Sequence, residues 1–314
     1  MKNGEPMPQN LFDVVIIGTG PAGIQAAIHA SRKQTSVLVL GRIENSSLYS
    51  GHIENYAFVG GVTTGHDMLQ QGVSQAKGFG AQFLEEDLLQ LKQEDDFFNL
   101  RLESGKEIQA RALILSMGVA KKKLGAEGEK DFLGKGVSYC VDCDANFFRN
   151  AVVCVTGDRS AAADGALTLQ AIAAKVYLVA KDLDISEELS AQLKSSGVER
   201  IESTVTKVNG EKLRGVQSIE LENGQKLEVE GLFIEMGSKG ALQLATLIGV
   251  QLDSESMKYI TVNRLQETNI AGVYAAGDIT GPPYQMAKAV GEGCIAGMEA
   301  ATYARAMRKK EAAK

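Results

Sequence analysis

The chain has 314 residues, 44% of them apolar and 23% charged, values that exclude a disordered or rod-like polypeptide and fit two domains or one large α/β domain. A formal net charge of -6 supplies no global positive field for nucleic acid or an anionic membrane surface, so neither is expected as a partner. The unusual counts are 34 Gly, only 5 Pro, no Trp and 4 Cys. Such a glycine excess, without Pro- or Ser-rich linkers, belongs at tight turns and where backbone approaches a ligand.

The first apolar run, Leu11 to Ile17, is nearly continuous and ends in Gly18, as expected of a strand buried on both faces of a parallel sheet. A helix pattern over Ala22 to Arg32 and a second run, Val37 to Leu40, complete a β-α-β unit. Further strands are expected at Phe97 to Leu102 and Ile108 to Leu115, the latter running into Ser116-Met117-Gly118. The pattern then restarts: strand Ala151 to Val155, turn Gly157 to Arg159, helix Ala161 to Ala173, strand Val176 to Val179. Gln217 to Leu221 and Lys226 to Glu230 flank Asn223-Gly224 and read as a hairpin, followed by a buried strand over Gly231 to Met236. Gly272 to Asp278 reads as a last strand, and a long helix is expected from about Met286 to Arg308. Its late cations, Arg305, Arg308, Lys309 and Lys310, complement a helix C-terminus, with docking of an acidic partner as the alternative. The expectation is an α/β chain of two Rossmann-like, three-layer nucleotide-binding domains.

No apolar run is long enough to span a bilayer, and residues 1–10, expected to be a flexible N-terminus, lack an apolar signal core; a cytoplasmic protein is the expectation. In that compartment a close cysteine pair reads as catalytic or metal-binding rather than as a structural staple.

Gly18-Thr19-Gly20-Pro21-Ala22-Gly23 follows a buried strand and opens a helix, the context in which GxGxxG signals dinucleotide binding. The first glycine makes the turn, the second admits a pyrophosphate, the third packs helix on strand, and the helix amides hold the phosphates. At the end of the next strand, where a selective NAD site carries a ribose-binding acid, stands Gly41-Arg42, a pair that FAD tolerates better. Cys140-Val141-Asp142-Cys143-Asp144 is the second strong motif: two thiols at this spacing can cycle between dithiol and disulfide with help from a neighbouring carboxylate. Half of a zinc site is the alternative. Its other ligands are not apparent, since Cys154 falls in a predicted strand, Cys294 in a helix, and His29, His52 and His66 are scattered, so no metal is expected.

Together with Ile53-Glu54-Asn55-Tyr56, Phe147-Phe148-Arg149-Asn150 and Gly272 to Asp278, these motifs make the chain resemble the low-molecular-weight thioredoxin reductases over nearly its whole length. The resemblance implies a flavin-dependent homodimer whose FAD domain, 11–120 and 240–314, is interrupted by a nucleotide domain, 121–239, carrying the redox pair. It implies FAD contacts from Gly18, Thr19, Gly20, Pro21, Ala22, Gly23, Gly41, Arg42, Asn55, Gly118 and Gly277. Asp278 would hold the ribitol, with Tyr284, Gln285, Met286 and Ala287 near the isoalloxazine and Gly291 and Gly293 around the flavin. It further implies that Cys143 exchanges electrons with FAD, that Cys140 forms the mixed disulfide with thioredoxin, and that Asp144 is the acid-base. Asp142 departs from the small or hydroxylic residue of the family pattern, and a negative charge between the sulfurs is expected to raise the thiol pKa values.

The second glycine loop is damaged. Against GxGxxA the chain has Gly157-Asp158-Arg159-Ser160-Ala161-Ala162, and the basic cluster that reads a 2′-phosphate is replaced by Val179-Ala180-Lys181-Asp182-Leu183-Asp184. One lysine beside two carboxylates is a poor seat for a phosphate dianion, so NADPH is not expected. Asp182 keeps NADH open as an alternative. The sequence therefore resembles the nucleotide-independent branch of the family, with ferredoxin or another low-potential donor as the expected electron source and a thioredoxin-like protein as substrate. Lys121 to Lys123 read as a solvated linker, docking of an acidic ferredoxin being the alternative. The other readings are a dithiol oxidase or diflavin oxidoreductase running in reverse, an NAD(P)H-dependent thioredoxin reductase, and a non-catalytic flavin redox sensor.

Overall fold

The computed structural model describes residues 10–118 and 123–313. Lys121 and Lys122 lie outside the described residues, as do residues 1–9 of the N-terminal segment; Lys123 is exposed. In chain order the elements are β1 (Leu11–Ile17), α1 (Pro21–Arg32), β2 (Val37–Leu40), β3 (His52–Ile53), β4 (Thr63–Thr64), α2 (Gly65–Gly78), β5 (Gln82–Leu84), β6 (Leu88–Glu94), β7 (Phe97–Leu102) and β8 (Glu107–Leu115). Then come β9 (Val137–Ser138), α3 (Val141–Asp144), β10 (Val152–Thr156), α4 (Ser160–Gln170), β11 (Lys175–Val179), α5 (Glu187–Ser195), β12 (Glu199–Ile201), β13 (Val205–Glu211), β14 (Gly215–Leu221), β15 (Lys226–Glu228) and β16 (Gly231–Ile234). The chain ends with α6 (Ala241–Leu247), β17 (Val273–Ala275) and α7 (Met286–Ala313).

The chain divides into two compact units: the first comprises 1–102, 106–119 and 240–314, the second 103–105 and 120–239. In the first, β5-β2-β1-β8-β7-β6 form one sheet, and β17 also pairs with β8. β8 changes partner midway: Glu107 to Ala110 pair antiparallel with β7, while Leu113 to Leu115 pair parallel with β17. Its burial follows, alternating at the start and continuous from Ala110 onward, because only the parallel half is covered on both faces. Successive residues of β1 therefore feed opposite cores. Val15 and Ile17 pack with Leu38, Leu100 and Leu113, while Val14 and Ile16 pack with α1 and α7 through Ala26, Ala27, Ala296 and Ala300.

The α1–α7 contact explains two of the glycines. A Cβ at Gly293 would lie 2.2 Å from the Ala22 carbonyl oxygen, and one at Gly297 would lie 2.3 Å from that of Ala26. Gly293 thus serves helix packing, and Gly291 faces open space. α7 also runs beyond the expected end at Arg308. Its last turn is held by Glu311, whose carboxylate accepts two hydrogen bonds from the buried Arg111, and Arg308 donates to the buried Asp13.

In the second unit β12-β11-β10-β16-β9 form a parallel sheet, and β13-β14-β15 an antiparallel one. α4 stops at Gln170 rather than Ala173, because the Ala174 N–H donates to Ala151 at the edge of β10 and draws the chain into β11. The sequence pattern carries no expectation of α2, α3, α5, α6, β3, β4, β5, β6, β9, β12 or β13. Among the described residues no helix is long and apolar enough to cross a membrane.

Candidate active site

In the first unit the GxGxxG turn is built as its residues require. Gly18 has φ +119°, and a Cβ there would strike Ser116 at 2.7 Å. A Cβ at Gly23 would lie 2.0 Å from the Gly18 carbonyl oxygen, so only glycine lets α1 start this close to β1. Gly20 is the extended N-cap with Pro21 at the first helical position, and no side chain caps α1. The first-turn amides therefore face an open cradle suited to a pyrophosphate. Gly41, at φ +125°, ends β2, and Arg42 is paired with the buried Asp87 at 2.8 Å. Asn55 Nδ2 donates to Gln285 Oε1 at 3.4 Å, which brings together two residues 230 apart in sequence. A cavity of about 410 Å³ is lined by Pro21, Ile24, Tyr56, Met286 and Val290, joining the α1 and α7 starts. Tyr284 shares a hydrogen bond with the Tyr259 hydroxyl, and Gly118 borders open space.

Asp278 follows Gly277, whose φ of +88° excludes most other residues. Two residues that sequence reasoning missed lock this turn. Glu292 accepts the Gly277 N–H at 2.8 Å, and Lys288 Nζ donates to the Gly277 carbonyl at 2.9 Å while pairing with Glu292 at 3.0 Å. Their i,i+4 spacing at the start of a predicted helix was the available signal. Burial pushes the Asp278 carboxyl above its usual value, and Lys288 partly offsets this. An acid held beside a glycine turn at the strand end, an open amide cradle and a cavity of mixed apolar and amide lining fit FAD.

In the second unit Cys140 and Cys143 form a disulfide across the start of α3. Cys140 is the N-cap, and the Cys143 N–H donates to its Sγ at 3.1 Å. Cys140 is buried and Cys143 exposed. Ser138 Oγ accepts the Cys140 N–H at 3.0 Å and donates to Asp144 Oδ2 at 2.6 Å, tying the acid-base candidate to the backbone of the pair. Glu235, expected merely to continue a buried strand, accepts the Val141 N–H at 2.7 Å. Tyr139 donates to the buried Glu129, and burial, reinforced by Glu129, pushes its phenol pKa up. Asp142 is not a bare charge: Lys239 Nζ stands 2.6 Å from its Oδ2. The charge of Asp142, expected to raise the thiol pKa values, is thus partly offset by an ion pair. Burial pushes the Cys154 thiol far up, which makes it an inert core residue, and among the described residues no cluster of three or more His, Cys, Asp or Glu could hold a metal.

The second glycine loop differs from the first. Gly157 is needed for packing, since a Cβ would lie 2.0 Å from the Glu235 carbonyl oxygen. The first-turn Ala161 N–H, however, is already bonded to the Gly237 carbonyl at 3.3 Å, and Asp158 Oδ1 accepts the Gly237 N–H at 2.8 Å. Arg159, the N-cap of α4, leans toward Asp184 at 3.8 Å, and Lys181 and Asp182 are exposed.

Two Rossmann-like sheets, one open glycine cradle and a CxxC disulfide at a helix start define the class of flavoprotein disulfide oxidoreductases. The sequence profile of the family described as pyridine nucleotide-disulphide oxidoreductase matches residues 12–293. The chain is 31% identical to thioredoxin reductase of Listeria monocytogenes over 98% of its own length and 99% of that protein's. Among solved structures it is similar to the atypical thioredoxin reductase TRi from Desulfovibrio vulgaris Hildenborough (TM-score 0.82, 34% identity, 93% of this chain and 98% of that one). It is also similar to a ferredoxin-flavin thioredoxin reductase from Clostridium acetobutylicum (TM-score 0.67, 31% identity, 93% and 97%). The chain belongs to the low-molecular-weight thioredoxin reductase family and is a flavoprotein disulfide reductase with a redox cysteine pair.

Proposed function

We propose that the protein passes electrons from a low-potential donor other than NADPH, with reduced ferredoxin favoured, through FAD and Cys143/Cys140 to thioredoxin or a similar protein disulfide. The observation that carries this reading is the closed second loop, where the Gly237 carbonyl takes the Ala161 amide that a pyrophosphate would need. A phosphate there would also meet Asp158 and Asp184. The likeness to a reductase described as ferredoxin-flavin supports the choice of donor. A plant-type ferredoxin lies about 130 mV below thioredoxin, worth about 6 kcal/mol for two electrons, so the transfer runs downhill.

The proposed FAD domain is 11–120 with 240–314, and its contacts are the sequence-predicted residues of the Gly18 loop, Gly41, Arg42, Asn55, Gly118, Gly277, Asp278 and Tyr284 to Ala287. Bound FAD supplies the conversion between single electrons and an electron pair. The chain's own part begins at α3. Cys143 receives the pair as the S–S bond opens, Cys140 attacks the substrate disulfide, and Asp144, held by Ser138, carries the proton. A homodimer is the assembly this family reading implies. The test is anaerobic mixing of the flavin-loaded protein with NADPH, NADH and reduced ferredoxin in turn, following flavin absorbance. Reduced ferredoxin is expected to bleach the flavin rapidly and NADPH to leave it oxidised; rapid bleaching by NADPH refutes the reading.

A further inference from the structure

A carboxylate between two redox sulfurs works against thiolate formation. The structure places a cation on it. Lys239 Nζ lies 2.6 Å from Asp142 Oδ2 and 2.9 Å from Asp164 Oδ2, and the lysine side chain is only 3% exposed. The three residues come from different places: Asp142 from α3, Asp164 from α4, and Lys239 from the segment that follows β16. Burial alone would pull the ammonium toward its neutral form, but the two carboxylates outweigh it, and the Lys239 pKa lies above the ordinary lysine value. The ammonium is therefore charged at any pH where the enzyme works.

The other charged groups around α3 are mostly acidic. Glu235 reaches it from the end of β16, Asp144 is held by Ser138, and the Tyr139 phenol is neutral on Glu129. Arg149 is exposed and turned to Asn146 at 3.5 Å. Lys239 is thus a buried cation in this surrounding, and with Asp142 and Asp164 it makes a cluster of formal charge -1.

We infer that Lys239 is a positioning residue for the redox pair: it holds the Asp142 carboxylate in an ion pair shared with Asp164 and offsets part of its charge, so that a thiolate forms more readily when the disulfide opens. The inference rests on Cys140–Cys143 being the redox pair but not on the identity of the donor. Two electrons break the S–S bond. One sulfur takes a proton as thiol and the other remains thiolate. That thiolate bonds to one sulfur of the substrate disulfide and expels the other, which is protonated. The remaining thiol gives up its proton and attacks the mixed disulfide, re-forming Cys140–Cys143 and releasing the reduced substrate. Both nucleophilic steps depend on the thiolate fraction, which the charge beside the pair controls.

The test uses the flavin-loaded protein reduced with excess dithiol, freed of reductant anaerobically, and pulsed with iodoacetamide across a pH series. Labelling of Cys140 and Cys143 is read peptide by peptide, which separates them from Cys154 and Cys294. Lys239→Gln leaves two carboxylates without their cation, and the labelling midpoint is expected to rise by about one pH unit, roughly a tenfold loss of labelling rate below it. Asp142→Asn/Lys239→Gln restores the cluster charge of -1 and is expected to return the midpoint close to wild type. Lys239→Arg should stay near wild type. Asp142→Asn alone leaves Lys239 balanced by Asp164, so it tests the same point with little risk to folding and is expected to lower the midpoint. A purely structural lysine would reduce stability without moving these midpoints. Superimposable profiles for wild type and Asp142→Asn, or a Lys239→Gln midpoint that the second substitution does not restore, overturn the inference. No electron donor is involved, so failure of ferredoxin to reduce the flavin would leave this result standing.

Discussion

The flavin cradle depends on how closely α7 approaches α1, and Gly293→Ala tests that dependence. A Cβ at Gly293 would sit 2.2 Å from the Ala22 carbonyl oxygen, and relaxed Cβ contacts begin near 3.4 Å, so the helices must part by about 1 Å. Overpacking of this kind costs about 1–3 kcal/mol, partly offset by about 1 kcal/mol of helix propensity gained on replacing glycine. A net loss of up to about 2 kcal/mol corresponds to a fall in Tm of up to about 8 °C for a unit of this size. Because Ala22 belongs to the α1 turn that presents the cradle amides, flavin affinity should fall by about tenfold or more. Gly291→Ala is the internal control, since that position is exposed, helical and open, and it should gain about 0.5–1 kcal/mol. Thermal unfolding of apoprotein and titration with FAD followed by fluorescence read both effects. If Gly293→Ala melts and binds flavin like wild type, close helix packing does not set the cradle.

Asp278 carries a pH signature. Its folded carboxyl pKa is raised by burial, so the apoprotein should lose stability as pH climbs from the ordinary aspartate value through the raised one. Asp278→Asn should abolish that decline and stabilise the apoprotein at neutral pH while weakening FAD binding, as read by urea melts at a series of pH values; identical slopes in the two proteins would contradict it. Cys143→Ser should accumulate a mixed disulfide between Cys140 and thioredoxin after incubation with oxidised thioredoxin, and Cys140→Ser should not, as resolved on non-reducing gels. Trapping through Cys143 instead would reverse their assigned roles, a pointed check because Cys143 is the exposed sulfur. Arg159→Gly should still give no bleaching with NADPH, because the Gly237 carbonyl and Asp158 remain where they are.

What the sequence made legible were features written in contiguous residues. Leu11–Ile17 and Val37–Leu40 are apolar throughout because both faces of the sheet are covered, and glycines in a GxGxxG turn are spaced by backbone geometry. Less legible were elements with thin apolar signals. α2 buries only Gly65, Leu69 and Ala76, although Thr64 accepting the Asp67 N–H was a readable cap. β6 buries only Leu88, Leu89 and Leu91 before turning polar. The charge partners of α3 could not be read at all. Lys239 and Asp142 are 97 residues apart, and only the folding of β16 against β10 brings Lys239 and Glu235 to the cysteine helix.

The bond between the Ala161 amide and the Gly237 carbonyl also bears on how such a chain changes over time. A helix-start amide already bonded to a carbonyl has less to gain from a phosphate, so on the proposed reading a mutation that restores one phosphate contact adds little affinity on its own. On the proposed reading, a dinucleotide site here would need a glycine at 159, withdrawal of the 237 carbonyl and new cations near Asp182 and Asp184 together. On that reading no single reversion restores the site, because the three features act on the same phosphate. An engineer seeking a nucleotide-driven version would do better to transplant the whole β10–α4 turn together with the 237 segment than to revert residues singly.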